Sequence, residues 1–115
     1  FHVGDNRSRT WVITRTATGL RLKHDHRHAD GTADKVTQYG GDTTNAGSAP
    51  QQDFPADALT AQLIPAAKAN VWSFIFGPGR TLGYRLVRAA EGRRFRVEFD
   101  LTKPVATPPA PWGQP

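Results

Sequence analysis

Apolar and polar residues alternate with a period of two in both halves of the chain, a pattern that predicts β-strands with one buried face. The expected strands cover residues 9–16, 20–28, 33–39, 70–76, 81–88 and 93–101. Residues 70–76 are the exception to the alternation, because they are apolar on both faces and predict a central strand. Short turn sequences separate the strands within each half, so neighbouring strands are expected to pair as antiparallel hairpins. Six hairpin-linked strands predict a mostly β fold, either a small antiparallel barrel or a compact sandwich.

The segment between the two strand blocks carries weaker signals. Residues 40–53 have the composition of a loop. Within residues 54–70, Pro55 as a first helical residue and the four-residue spacing of Leu59 and Leu63 favour a short helix or turn. The alternation around Leu59 fits a strand nearly as well. We expect the helix or turn.

The last twelve residues contain five of the nine prolines. Proline has no N–H to donate to a central strand, so this segment is expected to lie outside the sheets. The sequence therefore predicts one β domain over residues 1–103 and a Pro-rich tail over residues 104–115.

Two-residue loops at Thr18-Gly19 and Asp30-Gly31 would fix the register of the first three strands. The first loop places Trp11 opposite His26, and the second places His26 opposite Lys35. One face of this predicted meander carries Trp11, Ile13, Leu22, His24, His26, Lys35, Thr37 and Tyr39. This face is apolar at one end and polar at the other, as expected for the mouth of a ligand pocket.

In the second block, a four-residue loop at residues 89–92 predicts three apolar cross-strand pairs on one face. These pairs are Leu86 with Phe95, Tyr84 with Val97, and Leu82 with Phe99. The opposite face would place Arg85 across from Arg96, which is unfavourable unless an anion or an acidic neighbour lies between them. Because the aromatic residues alternate away from the arginines, nucleic-acid binding is not expected.

Three alternating histidines, His24, His26 and His28, would point to one side of a strand at a spacing of roughly 7 Å. Neutral imidazoles at this spacing can converge on a divalent metal such as zinc. Lys35 opposite His26 instead favours histidines that are solvated polar residues at a strand end, because a nearby cation disfavours another positive charge. A third interpretation makes His26, Lys35 and Arg15 the cationic end of a pocket for an anionic ligand.

Composition narrows the possible functions further. The chain has no cysteine, which excludes disulfides and thiolate sites, and no apolar run long enough to span a bilayer. It begins at Phe1 and contains no methionine. This fits removal of a signal peptide, with a periplasmic or secreted location, and it fits a trimmed sequence equally. A net charge of +5 would attract anionic partners, but an arginine- and alanine-rich composition is also an ordinary consequence of a GC-rich genome, and we prefer that interpretation.

These observations predict a small, non-enzymatic ligand-binding domain. Its ligand would be a small anionic molecule held by Trp11, His24, His26, Lys35, Thr37 and Tyr39. One alternative is a metal-binding protein or metal-dependent enzyme that uses the three histidines. Another is a structural protein that self-associates through its sheet edges and Pro-rich tail. With only two glutamates and no serine in a Gly-x-Ser-x-Gly sequence, paired-carboxylate and serine-hydrolase chemistry are not expected.

Overall fold

Seven strands and one short helix form in the computed structural model, which describes all residues from 1 to 115. The strands are β1 Arg9–Arg15, β2 Leu20–His26, β3 Tyr39–Asp42, β4 Gln51–Pro55, β5 Asn70–Gly77, β6 Thr81–Arg88 and β7 Arg93–Asp100. The helix α1 covers Ala58–Leu63, and 3₁₀ turns cover Pro65–Ala67 and Ala89–Glu91. The prediction of a mostly β, antiparallel fold is confirmed. No helix is both long and apolar enough to cross a membrane.

The strands form two antiparallel sheets, ordered β1-β2-β3 and β4-β5-β6-β7. The sheets meet at β3 and β4, where the Asp57 N–H donates to the Gly40 carbonyl at 2.9 Å. No ladder joins β1 to β7, so the structure is not a closed barrel. The core lies between the sheets and is built on Leu22, Phe54, Trp72, Phe74 and Tyr84.

The β1–β2 register differs from the predicted one by two residues. Trp11 pairs with His24, and Ile13 pairs with Leu22. The loop is longer than expected because the Thr16 hydroxyl accepts hydrogen bonds from the N–H groups of Thr18 and Gly19. A shift of two preserves the side-chain alternation, so the residues stay on the predicted face.

The predicted third strand is wrong, because β3 starts where that strand was expected to end. The Asp34 carboxylate accepts a hydrogen bond from the Val36 N–H at 2.9 Å, and Gln38 has φ 71°. These local features turn the chain away from β2 after the single Arg27–Ala33 bridge. His24 therefore pairs with Tyr39 instead of Thr37, and the predicted pairing of His26 with Lys35 does not form.

The predicted loop over residues 40–53 contains most of β3 and the start of β4, which pairs antiparallel with β5. Phe54 is its single large apolar residue and is buried opposite Trp72. Helix α1 confirms the predicted short helix, although it begins at Ala58 and not at Pro55. Asp57 caps it by accepting the Thr60 N–H at 2.8 Å.

The β6–β7 hairpin has the predicted register, including all three apolar pairs. Arg85 does lie opposite Arg96, and each guanidinium has an acidic neighbour. Arg85 lies 3.8 Å from Asp53, and Arg96 lies 2.6 Å from Glu98. These carboxylates offset the repulsion expected between the two arginines.

Candidate functional site

The main cavity lies between the two sheets and has a volume of about 420 Å³. Eleven of its fifteen lining residues are hydrophobic, a balance typical of small-molecule sites. Trp11 and Tyr39 come from the first sheet, and Trp72, Tyr84 and Leu86 come from the second. The alternation of each strand directs these side chains into the space between the sheets.

Aromatic contacts hold the walls of the cavity in place. The Trp11 indole stacks on the Tyr84 ring with centroids 4.3 Å apart and meets Phe74 edge-on at 5.2 Å. The Phe1 ring also stacks on Trp11 at 5.0 Å and lies 6.1 Å from the Tyr84 ring. The Trp11 N–H is buried and has no hydrogen-bond partner. Trp11 is therefore fixed mainly by ring packing.

His24 is fully buried behind this wall, and both of its ring nitrogens are engaged. Nδ1 lies 3.0 Å from the Tyr39 carbonyl oxygen, and Nε2 lies 2.7 Å from the Tyr84 hydroxyl. A carbonyl can only accept, so Nδ1 carries the proton and Nε2 accepts from Tyr84. Burial, with a smaller contribution from nearby Arg9, lowers the pKa of His24 to about 4. His24 is thus a neutral structural group at pH 7.

His26 is half-buried and lines the cavity. Its backbone N–H donates to the Thr37 hydroxyl at 2.8 Å, whereas its Nδ1 is buried with no hydrogen-bond partner. Burial lowers the pKa of His26, as does Arg9, while Asp34 acts in the opposite direction. A neutral imidazole with a free nitrogen is available to a polar group of a ligand.

The structure brings together only part of the predicted ligand face. Trp11, His26 and Tyr39 line the cavity, and Thr37 supports His26 from outside it. Lys35 is exposed and does not line the cavity, because the turn at Asp34 removes it from the β2 ladder. The predicted Lys35 contribution to the pocket therefore has no geometric support.

The three histidines do not share a metal-binding geometry. His28 is exposed, with Nε2 3.7 Å from an Asp34 carboxylate oxygen, while both nitrogens of His24 are occupied. No group of three or more His, Asp or Glu side chains is arranged so that it could hold a metal ion. Metal binding by His24, His26 and His28 remains a prediction from sequence alone.

Sequence reasoning missed the arginines of the cavity. Arg9 and Arg88 line it, and the Arg88 Nε donates to the Asn70 side-chain oxygen at 3.0 Å. A second cavity, also about 420 Å³, shares Leu86, Arg88 and Phe95 with the first and adds Arg93 and Arg94. The alternation of the strands could have indicated both arginines. Arg88 continues the inward-facing series Leu82, Tyr84 and Leu86 on β6, and Arg9 lies on the same inward face of β1 as Trp11.

Comparison of the chain with protein-family models, with curated proteins and with solved structures finds no match.

Proposed function

We propose that this chain is a non-enzymatic ligand-binding domain that takes a small, largely apolar molecule into the cavity between its two sheets. The observation that supports this proposal is the cavity itself, which has a volume of about 420 Å³ and mainly hydrophobic walls. Binding sites for small molecules usually have volumes of about 300–1,000 Å³ and a few polar groups that orient the ligand.

The polar groups of the lining favour binding over catalysis. His26 offers one free ring nitrogen, and Asn70 and Arg88 already bond to each other. No carboxylate or serine lines the cavity beside a histidine, so the lining lacks the nucleophile–base pair on which acyl transfer depends. These groups are suited to orienting a bound molecule.

The test uses N-phenyl-1-naphthylamine, an uncharged fluorescent probe of apolar sites. We expect its emission to rise and shift to the blue with the protein. We also expect it to perturb the indole N–H resonances of Trp11 and Trp72, which line the cavity, but not that of Trp112 in the tail. Perturbation confined to Trp112, or no binding, would overturn the proposal.

A substitution that fills the cavity tests whether the probe binds there. Ala67 is buried and lines the cavity, whereas neighbouring Ala66 in the same 3₁₀ turn is exposed. Ala67→Leu should weaken probe binding at least about tenfold by occupying the space, and Ala66→Leu should leave it unchanged. Because overpacking can unfold a domain, Ile64→Phe, at a partly exposed lining position, provides a second test. Unchanged binding in folded Ile64→Phe and Ala67→Leu would refute the site.

A further inference from the structure

Positive charge lines both of the cavities that share Leu86, Arg88 and Phe95. Arg88 pairs with Arg93 at the end of the β6–β7 ladder and Arg94 follows, while Arg9 pairs with His26 on the first sheet. Four arginines line the two cavities, namely Arg9, Arg88, Arg93 and Arg94. No aspartate or glutamate lines either cavity. Clefts lined by charge of one sign, with walls of low dielectric, focus the field on a ligand of the opposite sign.

The acidic residues nearby neutralise only part of this charge. Glu91 lies 3.6 Å from Arg88 and 3.7 Å from Arg93, so one carboxylate is shared between two guanidinium groups. Arg9 and Arg94 have no carboxylate within 4.0 Å. The Arg9 guanidinium instead donates to the hydroxyls of Tyr39 and Ser8. The lining arginines therefore keep a net positive charge that a ligand could neutralise.

Another part of the cavity is aromatic and buried. Trp72 and Tyr84 are at most 6% exposed, and Trp11 packs against Tyr84. Along β6 the lining changes from Tyr84 through Leu86 to Arg88, all on the inward face. A ligand that fits this gradient has an apolar body and a charged group at one end.

From this gradient we infer that the ligand of the proposed cavity is an amphiphilic anion, an apolar molecule with one terminal carboxylate or similar acidic group. The acidic group would lie among Arg9, Arg88 and Arg94, and the apolar body against Trp11, Tyr84 and Trp72. Guanidinium groups suit this role because their planar N–H donors match the two oxygens of a carboxylate. The inference rests on the proposed function and specifies the chemistry of its ligand.

The test compares two probes with the same aromatic body. N-phenyl-1-naphthylamine is uncharged, and 8-anilinonaphthalene-1-sulfonate adds one anionic group to it. At low salt we expect the sulfonate to bind at least about tenfold more tightly, because one ion pair near a protein surface is worth that much. This advantage should shrink as salt rises toward 0.3 M, because ions screen exposed charges.

Paired substitutions locate the anionic group. The variant Arg9→Gln/Arg94→Gln removes two of the lining arginines. The control Arg15→Gln/Arg96→Gln removes the same charge from the same strands, β1 and β7, at residues outside both cavities. We expect the preference for the sulfonate to fall to within about threefold in the first variant and to persist in the control. Arg94→Gln alone, on an exposed side chain, should show part of this loss without disturbing the fold.

The possible outcomes separate the two proposals. Equal binding of both probes, or a preference that survives in Arg9→Gln/Arg94→Gln, would overturn the amphiphilic anion and leave the cavity as an apolar site. If the control variant also loses the preference for the sulfonate, the preference comes from the overall charge of the protein, and the inference is overturned as well. If neither probe binds, the proposed function fails and the ligand class with it.

Discussion

Acidification should destabilise the domain through His24. In the folded protein its pKa is about 4, whereas in the unfolded chain the ordinary value of 6.5 applies. Between these values the unfolded state binds a proton that the folded state excludes, so stability falls as the pH falls. Each pKa unit is worth about 1.4 kcal/mol, and the loss between pH 7.5 and pH 4 is therefore about 3 kcal/mol.

The geometry explains why the folded protein resists this proton. Nδ1 already donates to the Tyr39 carbonyl, so a second proton would have to go to Nε2, which accepts from Tyr84. The Tyr84 hydroxyl would then have to accept instead, and its own proton would need another acceptor in a buried site. The nearby positive charge of Arg9 adds to this cost. Protonation is therefore coupled to disruption of the wall between the sheets.

Urea unfolding followed by tryptophan fluorescence measures the effect at a series of pH values. A loss of about 3 kcal/mol corresponds to a midpoint lower by about 1–2 M urea at pH 4 than at pH 7.5. His24→Gln should flatten this dependence, and His26→Gln, at a half-buried histidine with a smaller expected effect, is the matched control. Carboxylates with lowered pKa values, such as Asp42 and Asp57, lose their contribution mainly below pH 4.

Two results would refute this reasoning. If His24→Gln keeps the full loss between pH 6.5 and pH 4, another group causes it. An NMR titration of the wild-type imidazole supplies the second result without a variant. A His24 pKa near 6.5 in the folded protein would mean that burial and the nearby Arg9 charge do not hold the ring neutral.

Two further predictions concern the junction of the sheets. The buried Thr60 hydroxyl donates to the Gly40 carbonyl at 2.8 Å and accepts its N–H at 2.7 Å. Thr60→Val should lower the free energy of unfolding, measured with urea, by about 1–3 kcal/mol, whereas Thr44→Val at an exposed position should lower it by less than about 0.5 kcal/mol. A Cβ on Gly41 would overlap the Pro55 carbonyl oxygen, so Gly41→Ala should cost at least about 3 kcal/mol. Gly79→Ala, in open space at φ +70°, should cost only about 1–2 kcal/mol in thermal unfolding, and equal losses would contradict this account.

The second strand block was predictable because its information is local. Alternation between residues 81 and 101 is regular, and the loop length sets the register that the structure contains. In the first block, single side chains override the expected turns. The Thr16 hydroxyl lengthens one loop, and the Asp34 carboxylate redirects the chain before β3. Strand β4 was missed because only Phe54 carries its apolar signal, and pairing with β5 forms the strand.

The candidate site shows the same division between local and non-local information. Trp11, His26 and Tyr39 were predicted on one face, and all three line the cavity. The register error of two residues does not separate them, because an even shift leaves each side chain on the same face of its strand. Lys35 does not line the cavity because the strand that would have placed it there does not form. Arg9 and Arg88 join the site only when the two sheets face each other, and no pattern within either half of the chain specifies how they do so.

The buried polar groups connect the fold to the cavity. A hydrogen-bonded chain runs from Tyr84 through His24 to the backbone of Tyr39 and thereby crosses from one sheet to the other. Apolar side chains of equal volume could fill the same space, so the chain is not needed for burial alone. Hydrogen bonds are directional, however, and fix the Tyr84 ring against Trp11. We therefore assign His24 to shaping the cavity wall, and we propose that His26 and the arginines that line the cavities contact the ligand.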